Sequence, residues 1–273
     1  MENGTITYTQ LLREDLGIFR VTPDDGVPDF KAGQFLTLEL PLESKIVNRA
    51  YSIASSPENK EYVEFVIRWV RKPLPGRLTS LLFNAKEGDK ISWAKPAGNL
   101  TINDTLPNGE KDTRRIVCIG GGTGLAPFVS FAQHLHDTND KREIVILHGA
   151  SYVDELSYKD LLTGLEDESI SKGKDKWNFK YRAAISRPQE WTNRAWHGHK
   201  GRIEQFLRTS DSGKSPLEEL VGEKITKDNT IFYVCGWQGT IDGVMDYLKA
   251  KNFVTEKNKR EDGSYEIKFE SYG

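Results

Sequence analysis

The chain has 273 residues, 37% of them hydrophobic, and carries 38 Lys and Arg against 40 Asp and Glu, a formal net charge of −2. This balance offers no basic surface for nucleic acid, and no run approaches the ~18 consecutive apolar residues of a membrane span. Two cysteines, Cys118 and Cys235, are too few to bind an iron–sulfur cluster through four thiolates, so any such centre belongs to a partner.

Met1 to Thr5 lack the charged and apolar segments of a secretory signal, and a soluble cytoplasmic protein is expected. The length suits two domains at ~100–200 residues each. Short β-like runs at 5–9, 17–21, 34–38 and 62–67 predict a small barrel. Among them Arg49-Ala50-Tyr51-Ser52 places a cation, a ring and a hydroxyl in one extended segment. In a strand Arg49 and Tyr51 share a face and Ser52 points to the other. An arginine fork suits a pyrophosphate, a tyrosine ring suits a flat isoalloxazine, and a serine hydroxyl can reach a ring nitrogen. An ordinary edge strand with a solvated arginine and a half-buried tyrosine would use the same four residues. Residues 73–76 form a predicted turn, and 76–83 read as a short helix whose start offers hydroxyls and free amides for phosphate. The polar, turn-rich stretch 103–113 reads as a link between domains.

Beyond the link, strands alternate with helices. Candidate strands at 116–119, 144–147, 179–184 and 231–235 predict an open parallel sheet, with 168–176 and 209–214 as solvent-facing loops. The first of these strands runs into Gly120-Gly121-Gly122-Thr123-Gly124-Leu125-Ala126-Pro127, followed by a helix from Pro127 to Leu135. Strand, glycine loop and helix is a phosphate-binding order: glycines let backbone approach a pyrophosphate, and the helix start favours its charge. Pro127 stands where the dinucleotide fingerprint has Gly or Ala, and a glycine turn without a ligand is the competing reading. The pairs His134 with His136 and His197 with His199 lack metal-site spacing and are read as surface residues, so no metal site is predicted.

Arg49-Ala50-Tyr51-Ser52-Ile53-Ala54-Ser55-Ser56, Gly76-x-Leu78-Thr79-Ser80, Gly121-Gly122-Thr123-Gly124-Leu125-Ala126-Pro127-Phe128 and Cys235-Gly236, in this order over nearly the full length, resemble the ferredoxin–NADP reductase family. The resemblance implies two domains: an antiparallel FAD-binding β-barrel at 1–110, and an α/β parallel-sheet NADP-binding domain at 111–273 whose C-terminal segment returns to the flavin. It implies that Arg49 contacts the FAD pyrophosphate, Tyr51 stacks on the flavin, Ser52 hydrogen-bonds near its N5, and Gly76, Leu78, Thr79 and Ser80 help hold the phosphates. Gly122, Thr123, Gly124 and Pro127 would admit NADP. Cys235 and Gly236 would lie beside the nicotinamide, although a buried thiol there equally suits packing.

Glu270-Ser271-Tyr272-Gly273 matches the family's Glu-x-Tyr ending apart from the extra Gly273. By that resemblance Tyr272 covers the second flavin face and moves aside for nicotinamide, and Glu270 orients the nicotinamide or relays protons. Ser186, Arg187 and Arg202 stand where the family binds the 2′-phosphate of NADP, and Ser151 where some bacterial members carry arginine. Gly149-Ala150-Ser151 lacks the acidic residue that selects NAD, so NADP is favoured. The implied activity is electron exchange between NADP(H) and a separate ferredoxin or flavodoxin, with Ser52, Cys235, Glu270 and Tyr272 at the reacting centre. A monomer is expected, with Arg68, Arg71, Lys72 and Arg77 facing the partner. Two alternatives stand: a related NAD(P)H reductase serving an oxygenase, a cytochrome or free flavin, and a non-catalytic flavin-holding subunit.

Overall fold

The computed structural model describes residues 2–71, 74–211 and 213–272. Met1, Lys72, Pro73, Ser212 and Gly273 lie outside the described residues, and with them the Lys72 of the expected cationic face, parts of the turn at 73–76 and the loop at 209–214, and the departure at Gly273. The elements in chain order are β1 (Glu2–Arg13), β2 (Leu16–Pro23), β3 (Phe35–Leu42), β4 (Lys45–Ser52), β5 (Val63–Arg68), α1 (Arg77–Asn84), β6 (Lys90–Trp93), β7 (Arg115–Gly121), a 3-10 turn (Gly122–Leu125) and α2 (Ala126–Asp137). There follow β8 (Ile144–Ala150), α3 (Lys159–Lys172), β9 (Phe179–Ile185), β10 (His199–Lys200), α4 (Pro216–Val221), β11 (Thr230–Gly236), α5 (Gln238–Ala250) and β12 (Ile267–Ser271). They divide into two compact units, Met1–Ile102 with Ala126–Thr138, and Asn103–Leu125 with Asn139–Gly273.

The first unit is a six-stranded antiparallel sheet in the order β4-β3-β6-β1-β2-β5. In β3, Leu36, Leu38 and Leu40 are buried while Phe35, Thr37 and Glu39 between them are half-buried, the two-residue period of a strand with one face in a core. The two edge strands meet. Just after β4, the Ala54 N–H donates to the Glu64 carbonyl of β5 at 2.8 Å, and the Glu64 N–H to Ser55 Oγ at 3.1 Å, which curls the sheet toward the predicted barrel. Leu78 and Leu82 of α1 join Leu36, Phe65 and Trp93 in this core.

Helix α2 belongs to this unit although it follows the glycine loop in sequence. Ser130 Oγ donates to the Ser55 carbonyl at 2.7 Å, Gln133 Nε2 to the Ala54 carbonyl at 3.0 Å, and His134 Nδ1 meets Glu58 at 2.9 Å. His134, His136 and His199 are half-buried, and His197 is exposed.

The second unit is a six-stranded parallel sheet in the order β10-β9-β8-β7-β11-β12. Every residue of β7 and β11 is buried, as expected for central strands covered on both faces. The four predicted strands are all present, and β10 and β12 extend the sheet beyond them. On α5, Ile241, Val244, Met245 and Leu248 recur at helical spacing and pack onto the sheet. Helix α4 starts on a capping box, with Ser215 Oγ accepting the Glu218 N–H, and Pro216 in its first turn.

One expectation is corrected: residues 168–172 are the last turns of α3, whose buried side includes Leu162, Leu165 and Ser169, and not a loop. The stretch 103–113 begins where the second unit begins and is anchored to that unit: the Asn103 N–H donates to Tyr233 Oη at 2.8 Å, and Arg142 Nη1 to the Asn103 carbonyl at 2.6 Å. No helix among the described residues is long and apolar enough to cross a membrane.

Candidate cofactor and coenzyme sites

In the first unit, edge strand β4 carries Arg49, Tyr51 and Ser52 opposite Leu38, Leu36 and Phe35 of β3. Arg49 is exposed and makes no ion pair among the described residues. The Tyr51 ring packs at the edge of the core, and its hydroxyl is buried without a hydrogen-bond partner. Burial pushes this phenol well above the usual tyrosine range, with Arg49 pulling weakly the other way. Ser52 is half-buried at the strand end.

Helix α1 packs against β4 and starts on extended Gly76 with no side-chain cap, which leaves first-turn amides for another acceptor. The Thr79 and Ser80 hydroxyls turn back onto the Gly76 carbonyl at 3.0 and 2.7 Å. A β-carbon at Gly76 would stand 2.4 Å from Thr79 Oγ1. Leu78 lies in the core, so only its backbone can face a phosphate.

In the second unit, β7 ends in the glycine turn. Gly122 has φ +57° with open space around its α-carbon, whereas a β-carbon at Gly124 would stand 2.2 Å from the Cys235 carbonyl oxygen and 2.7 Å from Tyr272 Oη. Gly122 thus faces space and Gly124 backs onto the end of β11. Pro127 is buried in the first turn of α2. Thr123 Oγ1 lies 3.5 Å from Tyr272 Oη.

Cys235 is fully buried and pairs with Glu270 across β11 and β12. Burial pushes its thiol well up, the Glu270 charge adds to this, and hydrogen bonds from Tyr272 and Gly236 offset only part. The sulfur is therefore a neutral thiol at ordinary pH and no nucleophile. The Tyr272 N–H donates to the Gly236 carbonyl at 3.3 Å, and its ring stands edge-on to Trp237.

Burial raises the Glu270 carboxyl above the usual glutamate range. A raised folded-state pKa leaves stability full below the ordinary range and reduces it as pH climbs through the folded pKa. Glu270→Gln is therefore expected to raise Tm at about pH 8 and to leave it unchanged at about pH 4. Thermal melts with the same offset at both values would refute this.

At the carboxyl ends of β8 and β9, the expected coenzyme residues are in unlike states. Ser186 is exposed and its N–H donates to the Ala150 carbonyl at 2.9 Å. The exposed Arg187 donates from Nη1 to Tyr152 Oη at 2.7 Å, with its guanidinium 5.3 Å from that ring. Arg202 is already engaged: it forms an ion pair with Glu204, and its Nη2 donates to the Gly239 carbonyl at 2.9 Å. Sequence reasoning missed Tyr152, Glu155, Asn193 and His148. His148 is fully buried opposite Gly120, its Nδ1 3.2 Å from Tyr181 Oη. Burial pushes it down to about 4, so it is neutral. The described residues hold no cluster able to bind a metal ion.

Residues 4–102 match the oxidoreductase FAD-binding domain family, and residues 118–246 the oxidoreductase NAD-binding domain family. A ferredoxin–NADP reductase of Azotobacter vinelandii is 30% identical over 87% of this chain and 85% of its own length. The chain belongs to the ferredoxin–NADP reductase family. The reductase component of propane 2-monooxygenase from Mycolicibacterium goodii is 28% identical over 87% of this chain, a match that spans only 60% of that protein. A crystal structure of a Neisseria gonorrhoeae ferredoxin NADP+ reductase with bound FAD and NADP shares the fold, with a TM-score of 0.77 at 22% identity over 98% of this chain and 97% of that one.

As a member of the ferredoxin–NADP reductase family, the protein is an oxidoreductase that binds FAD and a nicotinamide dinucleotide. Its residues fit both groups. Among the described residues, the Tyr51 hydroxyl without a partner, Arg49 without an ion pair and the uncapped start of α1 suit a flavin with its pyrophosphate. The open side of Gly122 suits the close approach of a dinucleotide.

Proposed function

We propose that the protein exchanges electrons between NADP(H) and a ferredoxin or flavodoxin. The observation that carries this reading is the set on β4 and α1, which among the described residues comprises a cation without a counter-ion, a buried phenol without a partner and a helix start without a side-chain cap. Bound FAD supplies the conversion of a two-electron hydride into single-electron steps. Arg49 neutralises the pyrophosphate and Tyr51 offers its ring to the flavin. Thr79 and Ser80 turn their hydroxyls from the Gly76 carbonyl toward phosphate, and Ser52 offers a hydrogen bond near the reacting nitrogen.

On the second unit, the glycine turn and Pro127 receive the coenzyme pyrophosphate, and the neutral Cys235 thiol with Gly236 lines the nicotinamide pocket. The Tyr272 hydroxyl now rests against Cys235 and Gly124, and the ring leaves that position when nicotinamide enters. Glu270 orients the nicotinamide. Preference for the 2′-phosphate rests chiefly on Ser186 and Arg187, since Arg202 contributes only by leaving Glu204. The electron partner finds fewer open cations than the sequence promised. Arg68 is paired with Asp15, Arg71 with Glu14, and Arg77 is exposed.

Similarity to an oxygenase reductase component supports a second reading, in which an oxygenase takes the electrons. Anaerobic stopped-flow mixing of the FAD-loaded protein with NADPH and with NADH tests the first. Bleaching of the flavin at least about tenfold faster by NADPH, with the difference lost in Arg187→Ala, is the expected result. Equal bleaching by both coenzymes would discard the 2′-phosphate assignment. Failure of the reduced protein to pass electrons to ferredoxin or flavodoxin would favour the oxygenase reading.

A further inference from the structure

We infer that Asn193 is a positioning residue that sets coenzyme preference by bracing two loops at the carboxyl edge of the parallel sheet. The inference rests on the reading of Arg187 as the 2′-phosphate ligand and deepens it. Asn193 is 1% exposed, in a 3-10 turn beyond β9. Its Oδ1 accepts the Val153 N–H at 2.9 Å, and its Nδ2 donates to the Ser151 carbonyl at 3.0 Å and the Arg187 carbonyl at 2.8 Å. Both amide hydrogens and one oxygen lone pair are used, and a flipped amide would point donor at donor. The side chain has one orientation, and it ties residues 151–153 after β8 to residue 187 after β9.

The first loop is held from its other side as well. The buried Glu155 carboxylate accepts the N–H groups of Ser151 at 3.0 Å and Tyr152 at 3.3 Å. Between them, Asn193 and Glu155 satisfy the amides of residues 151–153, and leave Arg187 exposed beside the half-buried Tyr152. The exposed pair they make, Arg187 Nη1 on Tyr152 Oη, cannot fix itself, because a solvated arginine gives up much of its rotamer freedom to hold one contact. What fixes it is its base: the Arg187 carbonyl is on the same amide that carries Ser151 and Val153. A guanidinium presented from a fixed base needs less ordering when a phosphate dianion arrives. Asn193 touches no ligand and acts through Arg187. The benefit therefore goes to a coenzyme bearing the 2′-phosphate and not to one lacking it.

The test is calorimetric titration of the FAD-loaded protein with 2′,5′-ADP and, for comparison, NAD+, in the wild type, Asn193→Ala, Arg187→Ala and the double variant. Asn193→Ala is expected to cut the preference for 2′,5′-ADP over NAD+ by about tenfold, and on the Arg187→Ala background by less than about twofold, because coupled residues are non-additive. If the alanine variant does not fold, Asn193→Ser, which shortens the brace without emptying the site, is expected to give the same pattern at smaller size. Equal weakening of both ligands, or an undiminished effect of Asn193→Ala without Arg187, would overturn the role of Asn193 alone. If Arg187→Ala by itself leaves 2′,5′-ADP binding intact, the phosphate assignment falls, and the inference with it.

Discussion

Gly124→Ala is expected to lower the rate of flavin reduction by NADPH about 100-fold and to cost about 1–3 kcal/mol of stability. The added carbon would stand 2.2 Å from the Cys235 carbonyl oxygen and 2.6 Å from its carbonyl carbon. Both are backbone atoms of a strand paired on one side with β7 and on the other with β12, so they cannot give way. Relief must come from the glycine turn, displaced by more than about 1 Å before ordinary contact at ~3.5 Å is restored. That turn leads into α2 and carries Thr123, and the same carbon would meet Tyr272 Oη at 2.7 Å. Gly122→Ala separates conformation from packing. Its φ of +57° lies in the left-handed region with no atom within 4 Å of the new carbon, so its cost is the backbone penalty of about 1–2 kcal/mol alone. Gly122→Asn, tolerated in that region, should cost less again. Urea unfolding and anaerobic stopped-flow on the three variants check the order. A Gly124→Ala protein reduced at the wild-type rate would mean that the turn is not held against Cys235.

The contrast between these two glycines marks where sequence reasoning stops. The run from Gly120 to Gly124 announces a close approach, because several adjacent residues without side chains have few other uses. Which glycine faces space and which backs onto β11 depends on a strand more than a hundred residues away. The central strands were legible for a local reason: β7, β8 and β11 are short, largely apolar runs, while β3 and the first half of β9 alternate with a period of two. The sheet edges were not. In β12 the charged Lys268 is buried next to Ile267 while Phe269 is only half-buried, so burial there does not follow residue type, and β10 has only two residues. Helix α3 is mostly polar, with one buried residue per turn, so its charges read as a loop.

The candidate site divides in the same way. Arg49, Tyr51, Thr79 and Ser80 lie in short contiguous motifs, and the structure brings β4 and α1 together. Asn193 has no local signal, because two of its partners lie 40 and 42 positions away. Charges misled for a related reason. Arg202 stands in an ion pair with Glu204, only two positions along the chain, and Arg68 in one with Asp15, 53 positions back. A cation seen in sequence carries no label for whether its charge is already matched.

Arg142→Met should be the most destabilising single change in the second unit outside its apolar core, at about 3–5 kcal/mol, a large share of a typical domain's 5–15 kcal/mol. The Arg142 side chain is 6% exposed and lies against two carboxylates and two carbonyls. Nη2 donates to Asp140 at 2.9 Å and to Asp104 at 3.3 Å, and Nη1 to the carbonyls of Asn103 at 2.6 Å and Asp112 at 3.4 Å. Methionine keeps much of the apolar stem and none of the donors, so the Asp140 carboxylate, 16% exposed, and the half-buried Asn103 lose their partner. The exposed Asp104 loses little, since water replaces the guanidinium. Lys90 and Asp24, paired at 2.9 Å on the surface, supply the comparison: Lys90→Ala should cost less than about 1 kcal/mol. Acid separates the ionic share from the rest. Burial alone would raise the Asp140 carboxyl, but hydrogen bonds from the Arg142 side chain and backbone outweigh it and hold the group below its usual range. Such a depressed folded-state pKa adds stability that is complete above the unfolded value of about 4 and disappears as pH falls through the folded one. The gap between wild type and Arg142→Met in urea unfolding should therefore be widest near neutrality and narrow below about pH 4. A gap that stays constant into acid would assign the loss to packing of the stem and not to the ion pair.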